Sequence, residues 1–292
     1  MLLAKTSDSP CRFITHNIRF AASSLFEGER PWEERREPLL SELLYHTRNL
    51  DTFICLQEVL HAQLIDICKG LDGREDHPDP DWAYIGVGRD DGQTQGEYSP
   101  IFYRPAVWQL RHWETVWLSE TPEVPSKGWD ASSIRIVTIG VFTHRTGGHT
   151  VLIMNTHLDD QGSRARSEAA HLILRRIREY QQGDWGGVIE RNIFVTGDLN
   201  SDEHEEAYQV FTAAQSPLLD TRMEAAGTKQ YGDRITWTGF GHEPEPPSRL
   251  DYVFTYRESP WHVLGHAVLP NRFEDGVYMS DHRAVVADVA KW

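Results

Sequence analysis

Short runs rich in β-branched and aromatic residues recur along the chain, and they constrain its fold more than any other feature. The runs are CRFITHNIRF, DTFICLQEV, DWAYIGVG, SPIFYR, SIRIVTIGVF, TVLIMNTHL, NIFVTGDLN, RLDYVFTY, WHVLGHAVL and RAVVADV. Segments of this length and composition are typical of buried strands. Several follow one another with no helical pattern between them, so strands and helices do not strictly alternate. The sequence therefore predicts an α/β protein in which two mainly antiparallel β-sheets pack face to face with helices outside.

Three segments have a helical periodicity instead, with apolar residues spaced along one face. These residues are Leu39, Leu40, Leu43 and Leu44 in the first segment, Leu64, Ile65 and Cys68 in the second, and Ala165, Ala169, Leu172, Ile173, Ile177 and Tyr180 in the third. Ser163 precedes the third stripe and is predicted as the N-cap of that helix.

Composition limits the domain count and the partners. No Gly/Ser-rich linker, low-complexity tract or fixed repeat divides the 292 residues, so one domain spanning 1–292 is predicted. Because 44 Asp and Glu outnumber 29 Lys and Arg, the net charge of -15 would repel a long polyanion, and duplex DNA is not expected as a partner. The sequence does not indicate an oligomeric state.

Location is inferred from what the sequence lacks. No run approaches the roughly 18 apolar residues that a membrane span needs. The N-terminal segment 1–10 has no apolar core of a signal peptide. Three cysteines without a C-x-x-C spacing fit a reducing compartment. A cytoplasmic protein is therefore expected, and secretion stays open if a leader has been removed.

Polar side chains stand at the ends of several predicted strands. They are Asn17, Glu58, His157, Asp159, Asp198 and Asn200 after strands, Asp251 within RLDYVF, and Asp281 and His282 at the start of the last strand. A single such position, for example GDLN, is usually only an Asx-turn. Repetition favours a shared site, because the strand ends of a rigid scaffold present side chains to one place.

The chemistry of this set favours a hard divalent cation. Mg²⁺, or Mn²⁺ in its place, prefers oxygen ligands and binds through one or two carboxylates together with phosphate oxygens. The residues that could supply oxygen are Glu58, Asp198, Asp281, Asn17 and Asn200. Zinc is less favoured because there is neither an H-E-x-x-H motif nor a Cys pair, although His157 and His282 keep it open. P-loop, nucleophile-elbow and dinucleotide motifs are absent from the sequence.

Six motifs, in order over nearly the whole chain, resemble the endonuclease/exonuclease/phosphatase superfamily: THN, CLQEV, NTHLD, GDLNS, LDYVF and SDHRAV. The resemblance implies a four-layer α/β sandwich and metal-dependent cleavage of a phosphate ester. It implies that Glu58 is the main metal ligand, helped by Asn17 and Asp281. Asp198 and Asn200 would orient the attacking water and the phosphate.

The resemblance also assigns the remaining polar groups. His282 would contact the phosphate and be held by Asp251. His157 would stabilise the charge that builds on the phosphoryl oxygens, and Glu97 would pair with it as in the deoxyribonuclease branch. The segments GRDDGQTQGEYSPIFYR and WLSETPEVPSKGWDASSIRI resemble a narrower microbial group, which makes Arg135 a candidate phosphate-binding residue. The alternative for Arg135 is a strand residue that reaches solvent.

The sequence therefore predicts a metal-dependent hydrolase in which water attacks a phosphate ester in line, with a small or single-ended substrate preferred. One alternative is a 3′-exonuclease or deadenylase on single strands, which would need aromatic stacking surfaces and a basic track. Another is a binding protein that has kept the fold without the chemistry. Such a protein should have lost some of these site residues, and none is missing.

Overall fold

Two mixed β-sheets form the framework of the chain, as seen in a computed structural model that describes residues 10–48, 51–72, 80–242 and 246–291. The first sheet contains β1 (Cys11–Asn17), β2 (Asp51–Gln57), β3 (Ala83–Ile85), β4 (Ile101–Tyr103), β10 (Gln230–Gly232), β12 (Trp261–Val268) and β13 (Val285–Lys291). The second contains β5 (Trp108–Trp117), β6 (Ile136–His144), β7 (Thr150–His157), β8 (Ile193–Asp198), β9 (Leu218–Asp220) and β11 (Asp251–Tyr256). Segment 1–9, part of the stretch without a signal-peptide pattern, lies outside the described residues.

The strand order is β10-β12-β13-β1-β2-β4-β3 in the first sheet and β5-β6-β7-β8-β11-β9 in the second. Three neighbouring pairs among these strands are parallel, namely β1 with β2, β7 with β8 and β10 with β12. The other neighbours are antiparallel. The prediction of two mainly antiparallel sheets is confirmed.

Helices cover the outer face of each sheet. They are α1 (Trp32–His46), α2 (His61–Asp72), α3 (Ser163–Gln182), α4 (Gly186–Ile189) and α5 (Glu206–Thr212), while α6 (Thr221–Glu224) contacts strands of both sheets. Apolar residues of α1 and α2 share a buried cluster with the first sheet, and those of α3 and α5 share one with the second. The four-layer sandwich is thus confirmed. In the described part of the chain, no helix has the length and apolar character that crossing a membrane requires.

A third buried cluster lies between the sheets and fixes their relative position. Phe13 of β1 stacks on Phe194 of β8 with ring centroids 4.2 Å apart, and Phe53 of β2 lies beside Phe13. All three rings are fully buried. Burying a side chain of this size contributes about 1.5–3 kcal/mol. The contact therefore packs β1 and β2 of the first sheet against β8 of the second.

The start of α3 differs from the prediction. Ser163 is the first helical residue, and the N-cap position is Gly162. The cap comes from a distant loop, because the Asp130 carboxylate accepts a hydrogen bond of 2.7 Å from the backbone N–H of Ala165. This carboxylate satisfies a first-turn N–H group that a serine N-cap would otherwise have bonded.

Two further sequence patterns need correction. Ile65 and Leu44 are 40% and 37% exposed, because the buried face of α2 passes through Leu64 and Ile67 and that of α1 through Leu39 and Leu43. The apolar runs also missed β5, β9 and β10. Strand β5 lies at a sheet edge and carries a bulge between Leu110 and His112, so that its sequence lacks a clean two-residue alternation.

Candidate active site

The polar strand-end side chains meet at one end of the two sheets, around an open cavity of about 620 Å³. Among its lining residues are eight of those predicted from the sequence: Glu58, Glu97, Arg135, His157, Asp198, Asn200, Asp281 and His282. Asn17 and Asp251 lie directly behind this wall and bond to it. The structure therefore brings all the predicted site residues together.

Strand register explains why distant residues converge. His157 and Asp198 end the parallel strands β7 and β8 and are paired in register. Asp251 opens β11, which runs antiparallel to β8, and it pairs with Asp198. It therefore begins a strand rather than interrupting one. Asp281 and His282 lie in the loop just before β13 and not within that strand.

Close approach of β7 and β8 depends on Gly197. This residue has φ +148°, and a Cβ atom there would lie 2.1 Å from the carbonyl oxygen of Thr156. Any side chain would thus push the two strands apart. Glycine at this position allows His157 and Asp198 to stand side by side.

The two carboxylate oxygens of Asp198 have different partners, one in an Asx-turn and one in the site. Its Oδ1 accepts a hydrogen bond of 2.9 Å from the backbone N–H of Asn200, which is the Asx-turn. Its Oδ2 faces the site and accepts a hydrogen bond of 2.9 Å from Asn17. Asn200 lies beyond the strand with φ 45°, so the same-face spacing of a strand does not apply to it. Its amide nitrogen nevertheless lies 3.0 Å from Nε2 of His157.

Asn17 organises the carboxylates. Its single amide nitrogen donates to Oε1 of Glu58 and to Oδ2 of Asp198, each at 2.9 Å. Its amide oxygen accepts the backbone N–H of Arg19 at 3.0 Å. The other oxygen of Glu58 accepts the N–H of Phe20 at 3.1 Å and lies 3.7 Å from the Arg19 guanidinium.

Two of these residues have an unfavourable backbone conformation. Glu58 has φ 59° and Arg19 has φ 57°, in the left-handed region. Such a conformation costs on the order of 1–3 kcal/mol for a residue other than glycine, and it occurs mainly at functional sites. The hydrogen bonds that Asn17 makes to both residues hold them in place.

His282 is held as a cation. Its Nδ1 lies 2.8 Å from Oδ2 of Asp251, and its Nε2 lies 3.7 Å from Oδ2 of Asp198. Burial of the ring lowers its pKa, but the two carboxylates outweigh burial, so the pKa of His282 is raised well above its usual value. Oδ1 of Asp251 is buried and has no hydrogen-bond partner among the described residues. The negative charge of Asp251 is therefore balanced mainly by His282.

The surroundings of His157 favour its neutral form. Burial, together with the charges of Arg135 and Arg89, lowers the pKa of His157 well below its usual value. Its Nδ1 lies 3.7 Å from Oε2 of Glu97, too far for a direct hydrogen bond. Glu97 instead accepts a hydrogen bond of 2.7 Å from Arg89, and burial raises the pKa of Glu97 to about 7. The predicted partners are adjacent but not bonded.

Arg135 is fixed at the cavity wall rather than in solvent. It is 6% exposed, and its guanidinium donates to Asp159 at 3.3 Å and to Asp160 at 2.7 Å. Burial raises the pKa of Asp159, but backbone N–H groups of Ser132, Ser133 and Gly162 outweigh it, so that this pKa is lowered. Nη1 of Arg135 has no hydrogen-bond partner within the described ranges.

Several residues of the site were not predicted from the sequence. Arg19, Arg89, Arg166 and Trp237 also line the cavity. Behind it, fully buried Arg35 of α1 donates to the carbonyl oxygens of Ile18 and Met279 at 2.8 and 2.9 Å. It thereby joins the segment after Asn17 to the segment before Asp281. The pattern Trp32, Arg35, Leu39 places this arginine on the apolar stripe of α1, which is the signal that could have identified it.

Comparison with known proteins agrees with this geometry. The family model described as endonuclease/exonuclease/phosphatase family matches residues 14–282. The chain belongs to this family. The resemblance inferred from the six motifs is therefore confirmed, and members of the endonuclease/exonuclease/phosphatase family hydrolyse phosphate esters. No match was found among curated proteins.

Solved structures of family members cover almost the whole chain. The endonuclease/exonuclease/phosphatase from Bacteroides vulgatus is 32% identical, with 98% of this chain and 100% of that chain covered and a TM-score of 0.84. A mannosyl-6-phosphatase from Bacteroides thetaiotaomicron is 31% identical, with 96% and 99% covered and a TM-score of 0.81. The human nocturnin catalytic domain, at 21% identity, 98% and 95% coverage and a TM-score of 0.72, shares the fold.

The carboxylates of this family member suit a bound cation. Burial raises the pKa of Asp198 and of Asp281, and neighbouring carboxylates raise both further. Negative charge gathered in this way is stabilised by a cation. Ligand atoms of Asp198, Asp251 and His282 also lie within 4.8 Å of one another. Because His282 is hydrogen-bonded to Asp251, that trio is better explained as a carboxylate–imidazole pair beside Asp198 than as a set of metal ligands.

Proposed function

We propose that this family member hydrolyses a small or single-ended phosphate ester by in-line attack of water, with Mg²⁺ or Mn²⁺ bound. One observation carries the proposal. Oδ2 of Asp198 lies beside the cavity, 3.6 Å from Nε2 of His157 and 3.7 Å from Nε2 of His282. The pKa of the first imidazole is lowered and that of the second is raised. A carboxylate held between two imidazoles can align water on one side of a phosphate that is hydrogen-bonded on the other.

Glu58 and Asp281 would hold the cation with Asp198 near it, since their oxygens are the ligands a hard cation prefers. When bound, the cation would neutralise phosphoryl charge and stabilise the leaving oxygen. Asn17 supports this set through its N–H group, while its amide oxygen is engaged by Arg19. Direct metal ligation by Asn17 stays a prediction. Its hydrogen bonds suit a different role, which is to orient the carboxylates of Glu58 and Asp198.

The remaining side chains would act on the ester itself. Asp198 aligns the water and accepts its proton. His282, charged and held by Asp251, donates from Nε2 to a phosphoryl oxygen. A phosphate dianion next to His157 favours the protonated ring, so His157 becomes charged as substrate binds, with Glu97 stabilising that proton. Asn200 would orient the phosphate.

Arg135 is suited to bind a phosphoryl oxygen through its free Nη1. Two carboxylates fix its guanidinium, so little side-chain entropy is lost when an anion binds. The mannosyl-6-phosphatase relative supports a phosphorylated sugar as one substrate of this kind. The alternative of a single-strand nuclease is supported by Phe20 and Trp237, two aromatic residues that line the cavity. The net charge of -15 argues against it, because a long strand would need a basic track.

A panel of phosphate esters tests the proposal. It would contain para-nitrophenyl phosphate, bis(para-nitrophenyl) phosphate, mannose-6-phosphate and short single-stranded oligonucleotides, each assayed with Mg²⁺, with Mn²⁺ and with excess chelator. Turnover of at least one small ester that chelator abolishes is the expected result. Absence of turnover with either metal, or full turnover in chelator, would overturn it. Processive degradation of the oligonucleotides alone would select the exonuclease alternative.

A further inference from the structure

His16 lies next to Asn17 on β1 but contacts the opposite side of the sheet. Its side chain is fully buried, and its Nε2 lies 3.2 Å from the carbonyl oxygen of His282. A carbonyl oxygen can only accept, so Nε2 must carry a proton. An imidazole outside the cavity is therefore hydrogen-bonded to the backbone of a residue that lines it.

The other nitrogen of His16 faces a buried acid. Nδ1 lies 3.5 Å from Oε1 of Glu42, which belongs to the buried face of α1 and whose side chain is 6% exposed. Both atoms are buried and have no hydrogen-bond partner in the described part of the chain, so each is the nearest available partner of the other. Burial lowers the pKa of His16 to about 4 and raises that of Glu42 to about 8. The two side chains face each other in a buried position, so Glu42 favours one orientation of the His16 ring.

The backbone of His282 has other partners besides His16, including an isolated antiparallel bridge with Trp237. Its carbonyl oxygen accepts a second hydrogen bond of 3.2 Å from the Asn271 amide, and its N–H donates to Oγ of Ser280 at 3.1 Å. The residue precedes β13 and is not part of a regular strand. Backbone hydrogen bonds on either side of the residue, from Thr238 to Asp281 and from Arg283 to Thr236, hold the same loop. His16 adds one of the two hydrogen bonds at the His282 carbonyl itself.

We propose that His16 and Glu42 are positioning residues that act through His282: Glu42 orients the His16 ring, and the ring fixes the His282 carbonyl and so aims its Nε2 toward Asp198. The inference depends on the proposed function for its kinetic consequence. A misplacement of about 1 Å in a catalytic group can cost on the order of 100-fold in rate. A partial loss of positioning should therefore lower kcat about 10-fold and leave KM nearly unchanged.

The kinetics of variants at His16 and Glu42 test this positioning role. His16→Phe keeps a planar ring but cannot donate to the carbonyl, and Glu42→Leu removes the partner of Nδ1. Both should lower kcat about 10-fold for the best small ester, with KM within about twofold. Glu42→Gln, which can still bond Nδ1, should restore kcat to within about threefold of wild type. Glu37→Gln, on the exposed face of the same helix, is the matched control and should have no effect.

A double-mutant cycle separates positioning from a loss of folding. If His16 acts through His282, adding His16→Phe to His282→Ala should not lower the residual rate further, although it should change the midpoint of unfolding as it does in wild type. An equal 10-fold loss in both backgrounds would overturn the proposal. So would wild-type kcat in both His16→Phe and Glu42→Leu.

A spectroscopic readout works even if no ester is cleaved. The proton on Nδ1 of His282, hydrogen-bonded to Asp251, should give a downfield resonance in ¹⁵N-histidine-labelled protein. This resonance should shift in His16→Phe and in Glu42→Leu and stay in place in Glu42→Gln and Glu37→Gln. An unshifted resonance in the first two variants refutes the positioning role. Shifts without turnover by wild type would refute the proposed function and leave the positioning role standing.

Discussion

Nδ1 of His282, in the loop before β13, lies 2.8 Å from Oδ2 of Asp251, which opens β11 in the other sheet. The carboxylate fixes which nitrogen points toward Asp198, and it stabilises the charge of the ring. Two residues arranged in this way act as one unit.

Asp251→Asn and His282→Ala should therefore have strongly non-additive effects. Each is expected to lower kcat by about 10²–10⁴-fold, because each removes the charged donor to the phosphate. The double variant should be no slower than the slower single variant by more than a few fold. Steady-state kinetics of the four proteins would test this, and fully multiplicative losses would contradict the coupling.

Glu58→Gln should abolish Mg²⁺-supported turnover and weaken Mg²⁺ binding by at least about tenfold. The substitution keeps the size of the side chain and removes its charge, while Asn17 and the N–H of Phe20 stay in place. Calorimetric titration with Mg²⁺ and with Mn²⁺ provides a readout that does not depend on substrate. Glu205→Gln removes one charge from the same cavity and serves as the control, with metal affinity close to wild type. Equal weakening by both variants would indicate a general charge effect.

Neighbouring arginines on α1 provide a matched pair for stability. Arg35 is fully buried, its hydrogen bonds within the described residues go to backbone carbonyl oxygens, and Glu29 lies 4.0 Å from it, whereas Arg36 is 37% exposed and pairs with Asp66. Arg35→Met would leave several buried carbonyl groups unpaired and should reduce the free energy of unfolding by roughly 3 kcal/mol or more. Arg36→Met should cost less than about 1 kcal/mol. Urea denaturation of both variants measures the difference, and equal values would contradict this account of Arg35.

The loss of folding stability at acid pH should depend in part on His266. Burial lowers the pKa of His266 to about 3, and its Nδ1 lies 3.2 Å from the Thr221 hydroxyl. A histidine whose pKa is lowered on folding stabilises the fold fully above its unfolded pKa, near 6.5, and that stability is lost as pH falls toward 3. Between pH 6.5 and 5 the loss from this residue should reach up to about 2 kcal/mol.

His266→Asn keeps a donor near the Thr221 hydroxyl and does not titrate. The free energy of unfolding of this variant, measured by urea at pH 6.5 and 5, should fall by less than that of wild type. His262→Asn, on the exposed face of the same strand, is the control and should keep the wild-type difference. An unchanged difference in His266→Asn would show that other groups cause the acid sensitivity.

Substrate choice should follow charge. With a net charge of -15, the chain should cleave small or single-ended phosphate esters in preference to internal bonds of duplex DNA. Plasmid nicking and small-ester turnover, compared at about 0.15 M salt, would measure this preference. Efficient nicking with no turnover of small esters or single-stranded oligonucleotides would reverse the conclusion.

The fold and the membership of the site could largely be predicted from the sequence, because strand-end motifs such as NTHLD and GDLNS occur in a fixed order. Strand pairing then brings His157, Asp198 and Asp251 together, as the register shows. Details that depend on tertiary contacts could not be predicted from the sequence. Asp130 caps α3 from a distant loop, and no local pattern around Ser163 reveals it.

Buried charges were the other failure of prediction. In the run WEERREPLLSELL, Arg35 and Glu42 are charged, yet both are buried: Arg35 bonds to the loop before β13, and Glu42 faces His16 of β1. The stripe of α1 could have indicated their burial, but their partners depend on how β1 and the loop before β13 pack on this helix. The contacts of Asn17 are similar, since its sequence position indicates an amide near the metal site but not which atom of the amide faces the carboxylates.

The left-handed backbone at Glu58 and Arg19 also has an evolutionary consequence. Conformations of this kind cost on the order of 1–3 kcal/mol each, and glycine would adopt them with little strain. A descendant released from selection for catalysis could relieve this strain with glycine at either position, in exchange for the contacts of Glu58 with Asn17 and Phe20 or of Arg19 with Glu29. The present chain keeps glutamate and arginine there, so it retains a strain that a purely structural or adaptor protein would have every opportunity to shed.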